Sequence, residues 1–192
     1  FNPEGKKEFI AWVAEEQSQA IDHIKYIQNH IEVNPALNYY FGDLRGTKWT
    51  EKEFTTSKGD RVIAKGTSQR LRGRSQLGLR YTKIILDDFE SELNTKTPDR
   101  RREIKEWVMS TVEPALENSK GNEGSVWLIG TIVHYDSFLQ SIYDGYLEAQ
   151  RESRRYAWDV MYKKAINADG EVLWSSYFSK EKLADIRKRF ED

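Results

Sequence analysis

Residues 81–92, YTKIILDDFESE, constrain this chain more than any other stretch. Ile84, Ile85 and Leu86 run without a break into Asp87 and Asp88, and Glu90 and Glu92 follow. A continuous aliphatic run fits a strand buried on both faces, as in a parallel sheet covered by helices. Sheets of that kind place their ligands at the carboxyl ends of the strands. The double acid then stands at the working edge of an α/β domain. The competing reading is a strand that ends in a solvated acidic turn.

The 192 residues suffice for one domain with its own core, and 38% hydrophobic against 32% charged residues is a polar but globular balance. A net charge of −1 conceals local segregation. From Lys65 to Lys83 there are six basic residues (Lys65, Arg70, Arg72, Arg74, Arg80, Lys83) and no acidic one. Such a segment can grip a polyanion locally even in a neutral protein. The chain has no cysteine, which excludes disulfides and thiolate metal sites and fits a reducing compartment. No stretch approaches the ~20 apolar residues of a membrane span, so no membrane partner is expected. The chain starts with Phe1 rather than Met, and its first predicted strand follows almost at once. It reads as a piece of a longer protein.

Residues 8–14, EFIAWVA, predict a short buried strand. Ala20, Ile21, Ile24, Ile27 and Ile31 then recur at helical spacing until Asn34-Pro35 stops the helix. His23 and His30 lie on that helix without companions at ligand spacing, so a solvated or capping role is expected of them. Residues 35–50 read as loop or short helix, with Tyr39, Tyr40, Phe41 and Trp49 packing locally. Residues 54–56 and 61–64 flank Ser57-Lys58-Gly59-Asp60 and predict a hairpin with glycine at the turn. The following AKGTSQRLRGRSQLGLR is either a surface loop or a loop carrying an arginine to phosphate, a task that suits the planar, always-charged guanidinium.

Beyond the acidic strand end, Thr97-Pro98-Asp99 starts a helix with a capping hydroxyl, a proline in the first turn and an acid at the positive end. Ile104, Trp107, Val108 and Val112 form its apolar face, Arg100 to Arg102 read as a solvated run, and Pro114 kinks or ends it. Ser125 to Gly130, SVWLIG, is a second apolar strand that ends at Gly130-Thr131, and a loop and helix follow it. Strand, helix and strand make a β-α-β crossover with parallel strands. Asp87, Asp88 and Thr131 then share one sheet edge. An Asp-Asp pair there has the form of a Walker B element. One carboxylate would hold Mg²⁺, usually through water, and its neighbour would orient or activate the attacking water. Thr131 would sense a γ-phosphate or bond the water near Asp88; a plain turn starting the next helix is the alternative. Residues 156–166 read as strand or irregular chain, and Ser179 caps a last helix with Leu183, Ile186 and Phe190 on one face.

In order and spacing these motifs resemble the ATPase domain of the large terminase subunit of tailed bacteriophages, the DNA-packaging motor, over nearly the whole chain. FIAWVAEEQSQAIDHIKYIQNHIE is similar to the strand and helix after that family's P-loop segment. GTSQRLRGRSQLGLRYTKIILDDFESE resembles its arginine-glycine loop running into Walker B, and PDRRREIKEWVMSTVEPALE the helix that follows. GSVWLIGTIVHYDSFL looks like the strand of the coupling motif, and ADGEVLWSSYFSKEKLADIRKRF like the connection towards the nuclease domain. The resemblance implies an additional-strand P-loop NTPase fold, α/β, with a mostly parallel sheet flanked by helices and incomplete at the N-terminus. It implies a partial ATPase domain over residues 1–150 and a linker towards a nuclease domain over residues 151–192.

The implied roles follow residue by residue. Asp87 matches the Mg²⁺-associated acid and Asp88 the catalytic carboxylate, with Glu90 as a fallback base. Gly130 and Thr131 match the coupling motif. Arg72, which precedes Gly73, is the first candidate for an arginine acting on a neighbouring subunit, and Arg74 the second. His134 and Asp136 are expected to be structural. The implied cofactors are ATP and Mg²⁺. The implied partners are double-stranded DNA, the portal protein, the small terminase subunit and further copies of the chain in a ring, in the host cytoplasm and transiently on the procapsid. The chain departs from the family in having no GxxxxGK[ST]. The phosphate-binding loop is therefore expected before Phe1 and the nuclease aspartates after Asp192, and the 192 residues alone are expected to hydrolyse little ATP. A helicase-like translocase fragment and a non-catalytic DNA-binding or oligomerisation module are the alternatives.

Overall fold

A computed structural model describes residues 5–71, 80–120 and 122–191. The chain divides into two compact units, Phe1–Asp144 and Gly145–Asp192. In the first unit, β1 (Phe9–Ala14), β2 (Arg45–Thr50), β3 (Glu53–Thr56), β4 (Arg61–Gly66), β5 (Lys83–Asp87) and β8 (Ser125–Ile129) form one sheet in the order β2-β3-β4-β1-β5-β8. The four strands β4, β1, β5 and β8 run parallel, and β2 and β3 add an antiparallel margin. The unit is thus an α/β fold with a mostly parallel, mixed sheet. The small ribbon of β6 (Asn118–Ser119) and β7 (Asn122–Glu123) lies outside it.

Alternation along the strands sorts the side chains into two layers. Ala11 and Val13 of β1, Ile63 of β4 and Ile84 and Leu86 of β5 pack with Ile104, Val108 and Val112 from the α3 (Pro98–Trp107) segment and its continuation. Ala14 of β1 and Val62 and Ala64 of β4 point the other way and pack with Ala20 and Ile24 of α1 (Gln17–Val33). Each of the fully buried Ile24, Ile84 and Leu86 side chains contributes about 1.5–3 kcal/mol relative to exposure. The sheet is not covered evenly. Ile85 is only half-buried, and Trp127 and Ile129 of β8 are exposed. The expectation that β5 is buried on both faces therefore holds for one face only, and β8 is covered on that same face: the helix on the second face, α1, packs against β1 and β4.

Local signals explain the element ends. Gln19 Oε1 accepts from the Glu16 N–H at the start of α1. Asn34, followed by Pro35, ends α1, and its Oδ1 accepts from Ala36 N to start α2 (Pro35–Phe41). Gly59 takes φ +92° in the β3–β4 turn, where its N–H reaches Thr56 O, so the predicted hairpin is present. Thr97 Oγ1 caps α3 through the Arg100 N–H. Before Pro114 the α-helix widens into a π-turn over Val108–Val112 and then tightens into a 3₁₀ turn over Glu113–Ala115. A proline ring cannot fit the regular ladder, so the segment departs from it one turn earlier.

One expectation changes. Arg45–Thr50 is a strand rather than a loop, tied to α1 by Gln28 Nε2 donating to Thr50 O at 3.0 Å. The aromatic residues pack locally as expected, Trp49 on Phe54 and Tyr40 against Tyr39 and Phe41, with Tyr39 and Tyr40 exposed.

α4 (Phe138–Arg151) begins in the first unit. The second unit is largely irregular. Residues 156–166 form no strand beyond an isolated Ile166–Val172 bridge. Asn167–Gly170 makes a turn, and Ser179 Oγ caps α5 (Lys180–Glu191) through the Lys182 N–H. No helix among the described residues is long and apolar enough to cross a membrane.

Candidate active site

Four strands that share a direction deliver their last residues to one edge. In the ladders Ala14 of β1 faces Gly66 of β4, and Asp87 of β5 faces Ile129 of β8. The connections that leave this edge are cross-bonded. Thr67 donates from both N–H and Oγ1 to Ala14 O, at 2.9 and 3.0 Å. The Asp88 N–H donates to Ile129 O at 3.0 Å. The tips of the Asp-Asp strand and of the Gly-Thr strand are therefore neighbours, as the crossover requires.

Asp87 and Asp88 differ in setting. Asp87 ends β5 on the α1 side of the sheet, and its side chain is 16% exposed. Its Oδ2 accepts from Trp12 Nε1 at 3.2 Å and lies 3.5 Å from His23 Nε2. Asp88 leaves the ladder in a left-handed backbone, φ +44°, and is exposed. Its carboxylate lies along Gly130: a methyl group at Gly130 would sit 3.4 Å from Asp88 Oδ1 and 3.2 Å from Leu139 Cδ1. The absence of a side chain there keeps Asp88 Oδ1 close to the β8 tip. Thr131 is exposed immediately after it.

Glu90 is not placed as a base. It is 6% exposed, and its two oxygens accept the Phe138 and Leu139 N–H groups at 2.7 and 2.9 Å, at the start of α4. A carboxylate there satisfies two otherwise orphaned donors and meets the positive end of the helix. Ser91 Oγ hydrogen-bonds Glu15 Oε1, and Asn94 Nδ2 bonds Phe89 O at 2.9 Å, which closes the turn after the acids. Arg101 departs from the solvated run expected of 100–102. It is 9% exposed, with Nε on Asp136 Oδ2 at 2.9 Å and a terminal nitrogen on Thr95 O at 2.8 Å. His134 Nδ1 accepts from Asp136 N at 3.0 Å, so both loop residues have the structural role expected of them.

The sequence offered no sign that His23 and Trp12 meet Asp87. They are far from it in the chain, and hydrophobic period reports which face a residue takes, not its partner on the next strand. Arg72 and Arg74 lie outside the described residues. The described part of their loop leaves the same edge at Thr67, and Leu71 is buried in the core.

Among the described residues no group of three or more His, Asp or Glu side chains forms a cage for a metal ion. Asp87 and Asp88 are the residues at this edge that could hold a cation of a different habit: Mg²⁺ keeps several waters and is held by one or two carboxylates together with substrate phosphates. Compared with known proteins, the chain matches no family model and no curated sequence.

Proposed function

We propose that this chain is the water- and metal-handling part of a DNA-packaging motor ATPase of the large-terminase type, coupling ATP hydrolysis to movement of double-stranded DNA. The observation that carries the reading is the junction of two strand tips. Asp87-Asp88 ends one parallel strand, Gly130-Thr131 follows the next, and Asp88 bonds the second strand's backbone through its own N–H. Acids at the carboxyl edge of a parallel sheet, touching a neighbouring polar tip, are what hydrolysis coupled to a conformational signal needs.

In this reading Asp87 holds Mg²⁺, which when bound neutralises charge on the phosphate oxygens. Asp88, exposed and fixed by its left-handed backbone, orients a water. Thr131 and Gly130 report the state of that carboxylate to β8 and to α4, whose Leu139 packs at Gly130. Arg72 or Arg74 would serve a neighbouring subunit of a ring seated on a portal, with a small subunit assisting. Because residues 1–192 contain no GxxxxGK[ST], this reading takes the phosphate-binding loop from another segment.

ATP turnover with and without double-stranded DNA tests the assignment, in the protein that bears the phosphate-binding loop. The expected result is turnover stimulated by DNA of any sequence, with an apparent DNA affinity that falls steeply with salt. DNA binding with no turnover would instead identify a non-catalytic module.

A further inference from the structure

On the α1 side of the sheet, Trp12 and His23 do more than cover Asp87. Trp12 faces Ile85 across the β1–β5 ladder, close to the carboxyl edge. Its Nε1–H reaches forward to Asp87 Oδ2 at 3.2 Å. The His23 ring from α1 stacks on the indole, with centroids 5.5 Å apart and planes at 24°, and brings Nε2 to 3.5 Å from the same oxygen. Both partners approach the same oxygen, Oδ2, so the bracket has a sense. The indole N–H is a donor only, so it can fix an acceptor and can do nothing else polar there. An aspartate at a strand end otherwise samples several χ1 and χ2 states, and a ligand carboxylate held in one state binds metal more tightly.

We propose that Trp12, backed by His23, is a positioning residue for Asp87: it holds one carboxylate oxygen so that the other is presented to a divalent cation. The proposal rests on Asp87 being the cation-associated acid. Neither ring touches the reacting atoms; the effect passes through the carboxylate. A tryptophan near the end of the strand before a double-acid strand is thereby given a role that neither residue's own motif suggests.

The test is a MgCl₂ titration, in the presence of ADP, of the protein that bears the phosphate-binding loop, followed by nitrogen-resolved NMR, because Mg²⁺ is held by carboxylates together with nucleotide phosphates. It observes the backbone amides of Asp87 and Asp88 and the Trp12 indole N–H, assigned by its loss in Trp12→Phe. In the unaltered chain, Mg²⁺ should shift these three signals together, and Asp87→Asn should abolish the response. Trp12→Phe should raise the Mg²⁺ midpoint at the two amides by about tenfold, the scale of lost second-layer support at metal sites, with the remaining spectrum unchanged. An unchanged midpoint in Trp12→Phe overturns the positioning role and leaves Asp87 as a cation site. No Mg²⁺ response in the unaltered chain overturns the cation site and the positioning role together. Should Trp12→Phe fail to fold, incorporation of benzothienylalanine at position 12 keeps the shape and removes only the N–H, with the same two outcomes deciding.

Discussion

Asp88 occupies a backbone region, φ +44°, that costs most L-residues roughly 1–2 kcal/mol and that Asp and Asn bear best. The turn thus stores a small strain at the acid that the proposed hydrolysis would use. Asp88→Gly should therefore stabilise the fold by up to about 1 kcal/mol in urea denaturation while ending hydrolysis, and Asp88→Val should destabilise it. A loss of stability in the glycine variant would mean that the carboxylate, not the backbone, holds this turn. Glu90 makes the opposite case. Its carboxylate closes two donors at the start of α4, so Glu90→Ala should cost about 1–3 kcal/mol in the same measurement, while turnover per folded molecule persists. In sequence the two acids look alike, since both follow the same aliphatic run. They are told apart by where α4 returns to the sheet, information held by residues 138–139 rather than by the acidic stretch itself.

The antiparallel margin has its own tests. β2 and β3 come so close at Gly46 that a methyl group there would sit 2.4 Å from Thr55 O. Gly46→Ala should therefore cost about 1–3 kcal/mol, seen as a lower urea midpoint, and a neutral result would show that β2 yields easily. On β3, burial acts to raise the pKa of Glu53, but hydrogen bonds from Lys48 and Arg61 and their positive charges outweigh it, and the net position is below the ordinary 4.5. A depressed carboxylate stabilises the folded state fully above its unfolded pKa, and that contribution is lost as pH falls through the folded value. Glu53→Gln should accordingly flatten the acid limb of the stability–pH curve below about pH 4.5 and leave its slope near neutrality unchanged. An identical acid limb in the variant would remove Glu53 from the account. The opposite end of β5 has a buried phenol: burial pushes Tyr81 up to about 12. β2 escaped the sequence reading because RGTKWT is a polar edge strand with no aliphatic run. The core strands were legible because their faces alternate or run apolar, and the hairpin because Gly59 marks its turn.

At the scale of the molecule, the α/β class, the parallel β5–β8 crossover and the shared edge of Asp87, Asp88 and Thr131 followed from residue patterns, because strand direction is implied by a helix between two strands. The uneven cover of the sheet did not follow. Trp127 and Ile129 look like core residues in sequence, and only the position of α1 over β1 and β4 leaves them exposed. The central claim is that Asp88 activates water at an edge organised for hydrolysis. Asn is isosteric and tolerates the same left-handed backbone, so Asp88→Asn removes the charge with little cost to the turn. The decisive measurement compares ATP binding and ATP turnover in Asp88→Asn and the unaltered protein bearing the phosphate-binding loop. The account predicts binding within about twofold and turnover reduced by about a hundredfold or more, the scale of a lost general base. Unchanged turnover in Asp88→Asn would contradict it.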